Sequence, residues 1–228
     1  MQRKIWKGWR SALAQTVGLV LVFTPVAALA VAGKTPQGPG AQSPIARLIK
    51  AVNPKATLPA PMVSKIVWNG LDVDGDGAGD FVNPTGQAPR LHDAFGNGEF
   101  GASRDGGSRH HEGVDYAAAA DQAVNAPISG FVTKIGYAYG GDDSLRFVEI
   151  TNPAIGYVAR VFYVDPGVAI GQAVRLGEAI GTVASLQSHY PGITDHVHLE
   201  VMKSGERLNA ETLIVARTIK VRAKTANG

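Results

Sequence analysis

The sequence predicts an all-β fold, with one compact domain of several antiparallel strands. Three observations support this prediction. From about Arg109 onward, short apolar runs rich in β-branched and aromatic residues are broken by Gly, Pro and Asn, as is typical of strands and turns. No segment after residue 55 shows the sustained 3.6-residue periodicity of an amphipathic helix. The 228 residues suffice for one well-packed core with flanking segments and are too few for two large domains.

Residues 1–30 predict a secretory signal peptide. Four basic residues precede the apolar run Val17–Val26, and the small-residue site Ala28-Leu29-Ala30 follows it. A retained membrane anchor is the rival interpretation, but the apolar stretch Val17–Ala32 has only 16 residues, and a membrane span needs about 20. We therefore predict cleavage after Ala30, no membrane span in the remaining chain, and a location in the periplasm, in the cell envelope or outside the cell.

The charge balance and the lack of cysteine exclude several classes of function. The whole chain has a formal net charge of +3, but removal of residues 1–30 leaves 18 Lys and Arg against 19 Asp and Glu. A formal charge of about −1 gives no basis for a nucleic-acid partner. Because cysteine is absent, disulfides and thiolate zinc sites are excluded. Any metal site must use His and carboxylate ligands.

We expect residues 31–84 to form a linker and an N-terminal segment, before a domain over residues 85–215. The linker prediction rests on the Gly, Pro, Gln and Ser content of Gly33–Pro44. A short helix is predicted next, because four apolar residues follow helical spacing ahead of a proline: Ile45, Leu48, Ile49, Val52 and then Pro54. Residues 216–228 are locally basic and predict a solvated, partly disordered tail.

The clearest strand candidates are Phe131–Ile135, Arg146–Ile150 and Tyr157–Val164, which are rich in β-branched or aromatic residues. Turn residues are expected to separate them from their neighbours: Gly136, Asn152-Pro153 and Pro166-Gly167.

An Asp-rich run inside the N-terminal segment matches the opening of a calcium-binding loop. Acidic residues alternate there around a glycine at the sixth position: Asp72, Asp74, Asp76, Gly77 and Asp80. However, Asn83 stands where a bidentate Glu should be, and no clear helices flank the loop. A Ca²⁺ site and a solvated, turn-rich loop therefore both remain open.

Two short motifs carry the candidate chemistry. His111 and Asp115 have H-x-x-x-D spacing, and His196 and His198 have H-x-H spacing. In an extended strand, residues two or four apart point to the same face, so each pair can direct its side chains to one point. Two imidazoles and a carboxylate suit Zn²⁺ and leave a fourth position for water, which is the catalytic arrangement. Either motif alone is weak, and together they predict one zinc site.

Several motifs resemble the lysostaphin-type zinc endopeptidases, which cleave peptidoglycan cross-bridges. The similar segments are Arg109–Asp115, the turns at Gly171-Gln172 and Gly177–Gly181, and His196–Glu200. The resemblance spans roughly Ala94–Glu211, and it implies a compact antiparallel β fold of the duplicated hybrid motif type.

The resemblance also implies roles for individual residues. His111, Asp115 and His198 look like the zinc ligands, and His196 looks like the catalytic histidine beside the metal. A second catalytic histidine normally lies in a Tyr-x-His-Leu strand, but here the strand reads Val161-Phe162-Tyr163-Val164. Tyr163 therefore takes the place of that histidine.

This replacement leaves two functions open. The stretch Val161–His198 especially resembles the leukocyte-derived chemotaxins, a branch of the family that shares the zinc site and is regarded as non-enzymatic. A tyrosine hydroxyl can stabilise developing negative charge, but with an ordinary pKa near 10 it is a poor base at neutral pH. The chain is thus either a zinc-dependent endopeptidase acting on peptidoglycan peptide cross-links, or an impaired zinc-binding module that binds peptidoglycan or regulates a cell-wall hydrolase.

The resemblance adds a hypothesis for the upstream segment. In latent members of the family, an asparagine of the propeptide fills the fourth zinc position. Asn83 and Asn97 are the candidates for such a covering residue in this chain.

Overall fold

The computed structural model describes residues 43–52 and 60–223, which fall into two units that divide between Leu58 and Pro59. The described part of the first unit contains helix α1, Pro44–Val52, which confirms the predicted short helix. The predicted signal peptide and its cleavage site lie outside the described residues. None of the described helices combines the length and the apolar character needed to cross a membrane.

The second unit consists mainly of β-strands, as predicted. Its strands are β1 Met62–Gly70, β2 Ser103–Arg104, β3 Arg109–His110, β4 Val114–Ala117, β5 Ala123–Asn125, β6 Gly130–Tyr139, β7 Asp142–Asn152, β8 Tyr157–Phe162, β9 Val164–Pro166, β10 Ala173–Val174, β11 Ala179–Val183, β12 His196–Lys203, β13 Glu206–Leu208 and β14 Ile214–Arg222. A 3₁₀ turn at Asp105–Gly107 and the short helix α2, Ala210–Leu213, complete the described elements.

The largest sheet is antiparallel and carries β12 near one edge. Its strand order is β10-β6-β7-β8-β12-β13, and β4 pairs with the first half of β12. A second sheet has the order β5-β11-β9, and one apolar core joins it to the large sheet. In β8, buried Tyr157, Ala159 and Val161 alternate with partly exposed residues. A shift of one residue in the pairing of β8 would turn these buried side chains outward. Packing in the core therefore fixes the register between β8 and its neighbouring strands.

The three strand candidates are confirmed as parts of β6, β7 and β8, but two of their expected limits are wrong. Gly136 does not end β6, which continues to Tyr139. A Cβ at Gly136 would lie 2.7 Å from Cε1 of Phe147, so this glycine allows close cross-strand packing rather than a turn. The segment Tyr157–Val164 is broken at Tyr163, whose backbone has a φ of 66°.

The predicted tail over residues 216–228 is corrected for its described part. These residues continue β14 to Arg222, and β14 pairs with β1 over nine positions, from Gly70↔Ile214 to Met62↔Arg222. Residues 60–84 belong to the same compact unit as the strands that follow them. Local residue patterns do not predict this pairing, because β1 and β14 lie at opposite ends of the domain's sequence.

The Asp-rich loop is organised by its own carboxylates. Asp72 accepts hydrogen bonds from the backbone N–H groups of Gly75 and Gly77, at 2.7 and 2.9 Å, and Asp80 accepts one from Val73 at 2.8 Å. Such bonds are typical of a solvated turn. Carboxylate oxygens of Asp72, Asp74 and Asp80 lie within 4.8 Å of one another, but no further observation on the described residues supports calcium there.

Candidate metal centre

Three side chains predicted as metal ligands meet at one point. Nδ1 of His198 lies 2.8 Å from Oδ1 of Asp115 and 2.9 Å from Nε2 of His111. Nε2 of His111 lies 3.0 Å from the same Asp115 oxygen. The side chains of His111 and Asp115 are buried, and that of His198 is nearly so. Two imidazole nitrogens and one carboxylate oxygen form a donor set that fits a transition-metal ion such as zinc.

The pairing of β4 with β12 builds most of this centre. Asp115 lies directly opposite His198 in the ladder, and directly opposed residues share a face of the sheet. His196 lies two residues before His198 and therefore points to the same face. His111 precedes β4 and reaches the centre from the connection between β3 and β4. The H-x-x-x-D pair thus converges although only Asp115 lies in a strand.

Gly113 allows the β3–β4 connection to pass close to β12. A Cβ at this position would lie 2.5 Å from the carbonyl oxygen of Leu199 and 2.7 Å from Cε1 of His198. These distances are shorter than any side chain tolerates, so the space beside the predicted metal ligands depends on glycine.

Backbone carbonyls fix the orientation of two histidines. Nδ1 of His111 lies 2.8 Å from the carbonyl oxygen of Glu99, and Nδ1 of His196 lies 2.7 Å from that of Thr194. A carbonyl only accepts, so each Nδ1 carries the hydrogen, and in the neutral ring each Nε2 keeps its lone pair. Nε2 of His196 faces Oδ1 of Asp115 at 3.6 Å. Burial lowers the pKa of His196, which favours its neutral form.

Two arginines that the sequence reasoning missed hold the other oxygen of Asp115. Nε of buried Arg90 donates to Oδ2 at 3.0 Å, and Nη2 of Arg104 lies 3.6 Å from it. Burial would raise the pKa of Asp115, but hydrogen bonds with His111 and His198 hold it well below its ordinary value. Arg90 and Asp115 are 25 residues apart, and no spacing rule connects them.

Glu200 continues the alternation of His196 and His198 along β12. One of its oxygens lies 3.7 Å from Nε2 of His198, on the side of the ring away from Asp115, and 3.4 Å from Nε of Arg207. Burial lowers the pKa of His198, but its contacts with Asp115 and Glu200 raise that pKa to about 9. Period-two alternation from the H-x-H motif was the sequence signal that could have identified Glu200.

Tyr163 lies beside the centre, at the break between β8 and β9. Its positive φ interrupts the strand alternation, so Phe162 and Tyr163 both line the cleft. The ring of Tyr163 contacts that of His196 edge to face, with centroids 5.3 Å apart. Burial raises the pKa of the Tyr163 hydroxyl to about 12, so it remains protonated at neutral pH. Its oxygen lies 2.8 Å from the hydroxyl oxygen of Tyr139.

The five predicted site residues line a single open cleft of about 380 Å³: His111, Asp115, Tyr163, His196 and His198. Tyr139, Tyr190 and Phe95 add an aromatic wall. Neither asparagine proposed as a covering residue lines this cleft. Oδ1 of Asn83 accepts bonds from the backbone of Thr85 and Gly86, and that of Asn97 accepts one from Glu99. Both amides are therefore used in local turns.

An antiparallel β fold with two histidines and an aspartate converging in an open cleft fits a domain of the metallopeptidase type. Residues 109–210 match the model of peptidase family M23. The chain is also 32% identical over 122 residues to leukocyte cell-derived chemotaxin-2 of Mus musculus, covering 51% of this chain and 75% of that protein. The chain belongs to peptidase family M23, which confirms the predicted resemblance.

Solved structures with a similar fold include two peptidases. The antimicrobial peptidase lysostaphin from Staphylococcus simulans is 20% identical, with a TM-score of 0.42, and the match covers 50% of this chain and 47% of that chain. A zinc-containing peptidase from Vibrio cholerae is 22% identical, with a TM-score of 0.42, and the match covers 57% of this chain and 39% of that chain. The chain thus spans less than half of each of these two proteins.

Proposed function

We propose that this protein is a zinc-dependent endopeptidase that acts on peptidoglycan peptide cross-links in the cell envelope. One observation carries the proposal: donor atoms of His111, Asp115 and His198 converge within 3.0 Å of one another in an open cleft that also contains His196. Membership of peptidase family M23 supports the same class of reaction. Export through residues 1–30 would deliver the enzyme to this substrate.

Each residue of the cleft has a separate role in the proposed reaction. Nε2 of His111, Oδ1 of Asp115 and Nδ1 of His198 would hold the zinc. When bound, zinc supplies a Lewis acid that polarises a peptide carbonyl and lowers the pKa of water to about 7. His196 takes a proton from the attacking water at Nε2 and delivers it to the nitrogen of the leaving amine. The hydrogen bond from Nδ1 of His196 to the carbonyl oxygen of Thr194 keeps Nε2 directed at the cleft.

Tyr163 serves as a hydrogen-bond donor in this scheme. Its hydroxyl donates to the substrate carbonyl oxygen as negative charge develops there. Removal of one such donor typically lowers the rate about a hundredfold or more. The replacement of a second catalytic histidine by tyrosine is therefore compatible with turnover, and His196 alone carries the proton transfer.

The same residue favours a second candidate function. Tyrosine is a poor base at neutral pH, so a cleft with Tyr163 in the histidine position lacks one of two proton carriers. In this alternative the zinc centre is retained by a module that binds peptidoglycan or regulates a cell-wall hydrolase without cutting the peptide.

One experiment separates the two functions. The purified protein with one equivalent of zinc is incubated with purified peptidoglycan, and soluble fragments are measured. For the endopeptidase we expect release that disappears in His196→Ala and persists in the control His92→Ala, which removes an exposed histidine outside the cleft. No release by the zinc-loaded parent, with release gained in Tyr163→His, would instead establish the binding module.

A further inference from the structure

Two tyrosine hydroxyls meet in the wall of the cleft. Tyr139 is the last residue of β6, and Tyr163 lies at the break between β8 and β9. Their oxygens are 2.8 Å apart, which is the distance of a good hydrogen bond, and either oxygen could be the donor. The ring of Tyr163 contacts that of His196, whereas Tyr139 contacts Tyr190 through its ring, at a centroid distance of 6.5 Å, and through its hydroxyl.

The backbone holds Tyr163 in place. Its N–H donates to the carbonyl oxygen of Arg146 at 2.8 Å, and its carbonyl oxygen accepts from the N–H of Ala184 at 2.9 Å. A φ of 66° is unfavourable for a residue with a large side chain, and such a conformation persists only where the surroundings enforce it. The backbone of Tyr163 is therefore fixed, and its ring packs against the rings of Phe162 and His196, with centroid distances of 6.4 and 5.3 Å.

The hydrogen count of the pair decides what Tyr163 can do. Each hydroxyl has one hydrogen to donate. If Tyr163 donates to Tyr139, it has no hydrogen left for a group in the cleft. If Tyr139 donates, the hydrogen of Tyr163 is free to point into the cleft, and the accepted bond polarises it further. A substrate oxygen that gains negative charge favours this second arrangement.

We propose that Tyr139 is a positioning residue: it donates to the Tyr163 oxygen and thereby directs the Tyr163 hydrogen to the substrate oxygen in the cleft. This inference rests on the proposed function, and it adds an element that the family motifs do not contain. Tyr139 belongs to the β6–β7 hairpin, which lies outside the H-x-x-x-D and H-x-H segments. Tyr139 thus influences the reaction through its hydrogen bond to the Tyr163 hydroxyl.

The test is a double-mutant cycle with a ligand that mimics the tetrahedral state. A phosphinic pseudodipeptide with alanine on both sides is titrated calorimetrically into the zinc-loaded parent, Tyr139→Phe, Tyr163→Phe and the double variant. Zinc content is measured in each. Tyr137→Phe is the matched control, because Tyr137 lies on the same strand, is exposed and does not line the cleft.

We expect Tyr139→Phe to weaken phosphinate binding about two- to tenfold, as for the loss of one hydrogen bond. Tyr163→Phe should weaken it at least as much, and the double variant should match Tyr163→Phe, because Tyr139 acts only through Tyr163. Tyr137→Phe should bind like the parent. On a cleavable substrate, Tyr139→Phe should lower kcat and leave KM unchanged, since the bond strengthens only as charge develops.

The outcomes distinguish this inference from the proposed function. A non-additive cycle without release of peptidoglycan fragments by the parent would refute the endopeptidase and support the tyrosine pair. Fragment release together with an additive cycle, or with no effect of Tyr139→Phe on phosphinate affinity, would overturn the pair and leave the endopeptidase standing. Failure of the zinc-loaded parent to bind the phosphinate would also overturn the pair.

Discussion

At the scale of single residues, Asp115 links the metal centre to the stability of the fold. One of its oxygens faces the histidines, and the other is bonded to Arg90. Both Arg90 and Asp115 are almost completely buried. A charged group in such a place is tolerated only when it is paired, so we expect both the fold and the candidate metal centre to depend on the arginine.

We expect Arg90→Met to destabilise the protein by about 3–5 kcal/mol, because it removes the buried hydrogen bond to Oδ2 of Asp115 and leaves that oxygen with Arg104 at 3.6 Å. Zinc affinity should fall as well, since Oδ1 is no longer held in position. Denaturant unfolding and a zinc-chelator competition measure the two effects. Arg109→Met is the control, because Arg109 pairs with Asp105 on the exposed surface and its loss should leave the unfolding midpoint nearly unchanged. Equal midpoints for the two variants would contradict the prediction.

Glu200 is expected to hold the ring of His198 in position through its contact with Nε2. A carboxylate beside the second nitrogen of a metal-binding imidazole typically contributes 10- to 100-fold to metal affinity. We therefore predict a loss of about this size in Glu200→Gln, measured by competition with a chromophoric zinc chelator. Arg160 lies 3.8 Å from Glu200 and 2.6 Å from Glu149. Glu149→Gln is the matched control, because Glu149 shares this arginine with Glu200 and is not among the cleft residues. The prediction is wrong if both variants bind zinc equally.

At the scale of elements, the β4–β12 ladder and the connection before it decide whether the motifs become a site. The ladder brings Asp115 opposite His198, and the connection brings Nε2 of His111 to 2.9 Å from Nδ1 of His198. This close approach is possible only because Gly113 has no side chain between it and the ring of His198.

We expect Gly113→Ala to destabilise the fold by about 1–3 kcal/mol and to weaken zinc binding. The added methyl group would collide with the backbone of Leu199, which has little freedom to move. Gly140→Ala serves as the control, because no atom lies within 4 Å of the new methyl group there. Chemical denaturation and metal titration of both variants are the measurements. Unchanged zinc affinity in Gly113→Ala would show that this close approach tolerates a side chain.

At the scale of the whole molecule, zinc binding should be linked to folding. A metal that binds only the folded chain stabilises it by about 2.7 kcal/mol at a free concentration 100 times its Kd. We expect a chelator to lower the unfolding midpoint of the parent and of His196→Ala, but to have no effect on His198→Ala. This pattern follows if His198 is a ligand and His196 is not. A chelator effect lost in His196→Ala and kept in His198→Ala would reverse the assignment.

Export is also a property of the whole chain. If residues 1–30 are a signal peptide, the protein recovered after secretion through a bacterial export pathway should begin at Val31. Intact-mass measurement of the exported protein is the test. Retention of the full-length chain in the membrane fraction would favour the anchor interpretation.

The strands and the ligand candidates could be predicted from the sequence because they depend on local order. Residues two apart share a face of a strand wherever the strand lies, so His196-Val197-His198 predicted two convergent imidazoles. The alternation in Tyr157–Val161 likewise predicted a strand with one buried face. The predicted strand limits at Gly136 and Tyr163 were wrong. At these positions, contacts with other strands override the local pattern of residue types.

The sequence by itself determined the fold class, the family and the residues that form the His–Asp–His centre. Only the tertiary structure decided that Arg90 contacts Asp115, that Glu200 contacts His198, that Tyr139 meets Tyr163, and that β14 pairs with β1. The physical reason is that local patterns report which face a side chain occupies, whereas these contacts depend on how distant segments are brought into register. Ladder pairing and burial set that register for the whole domain at once.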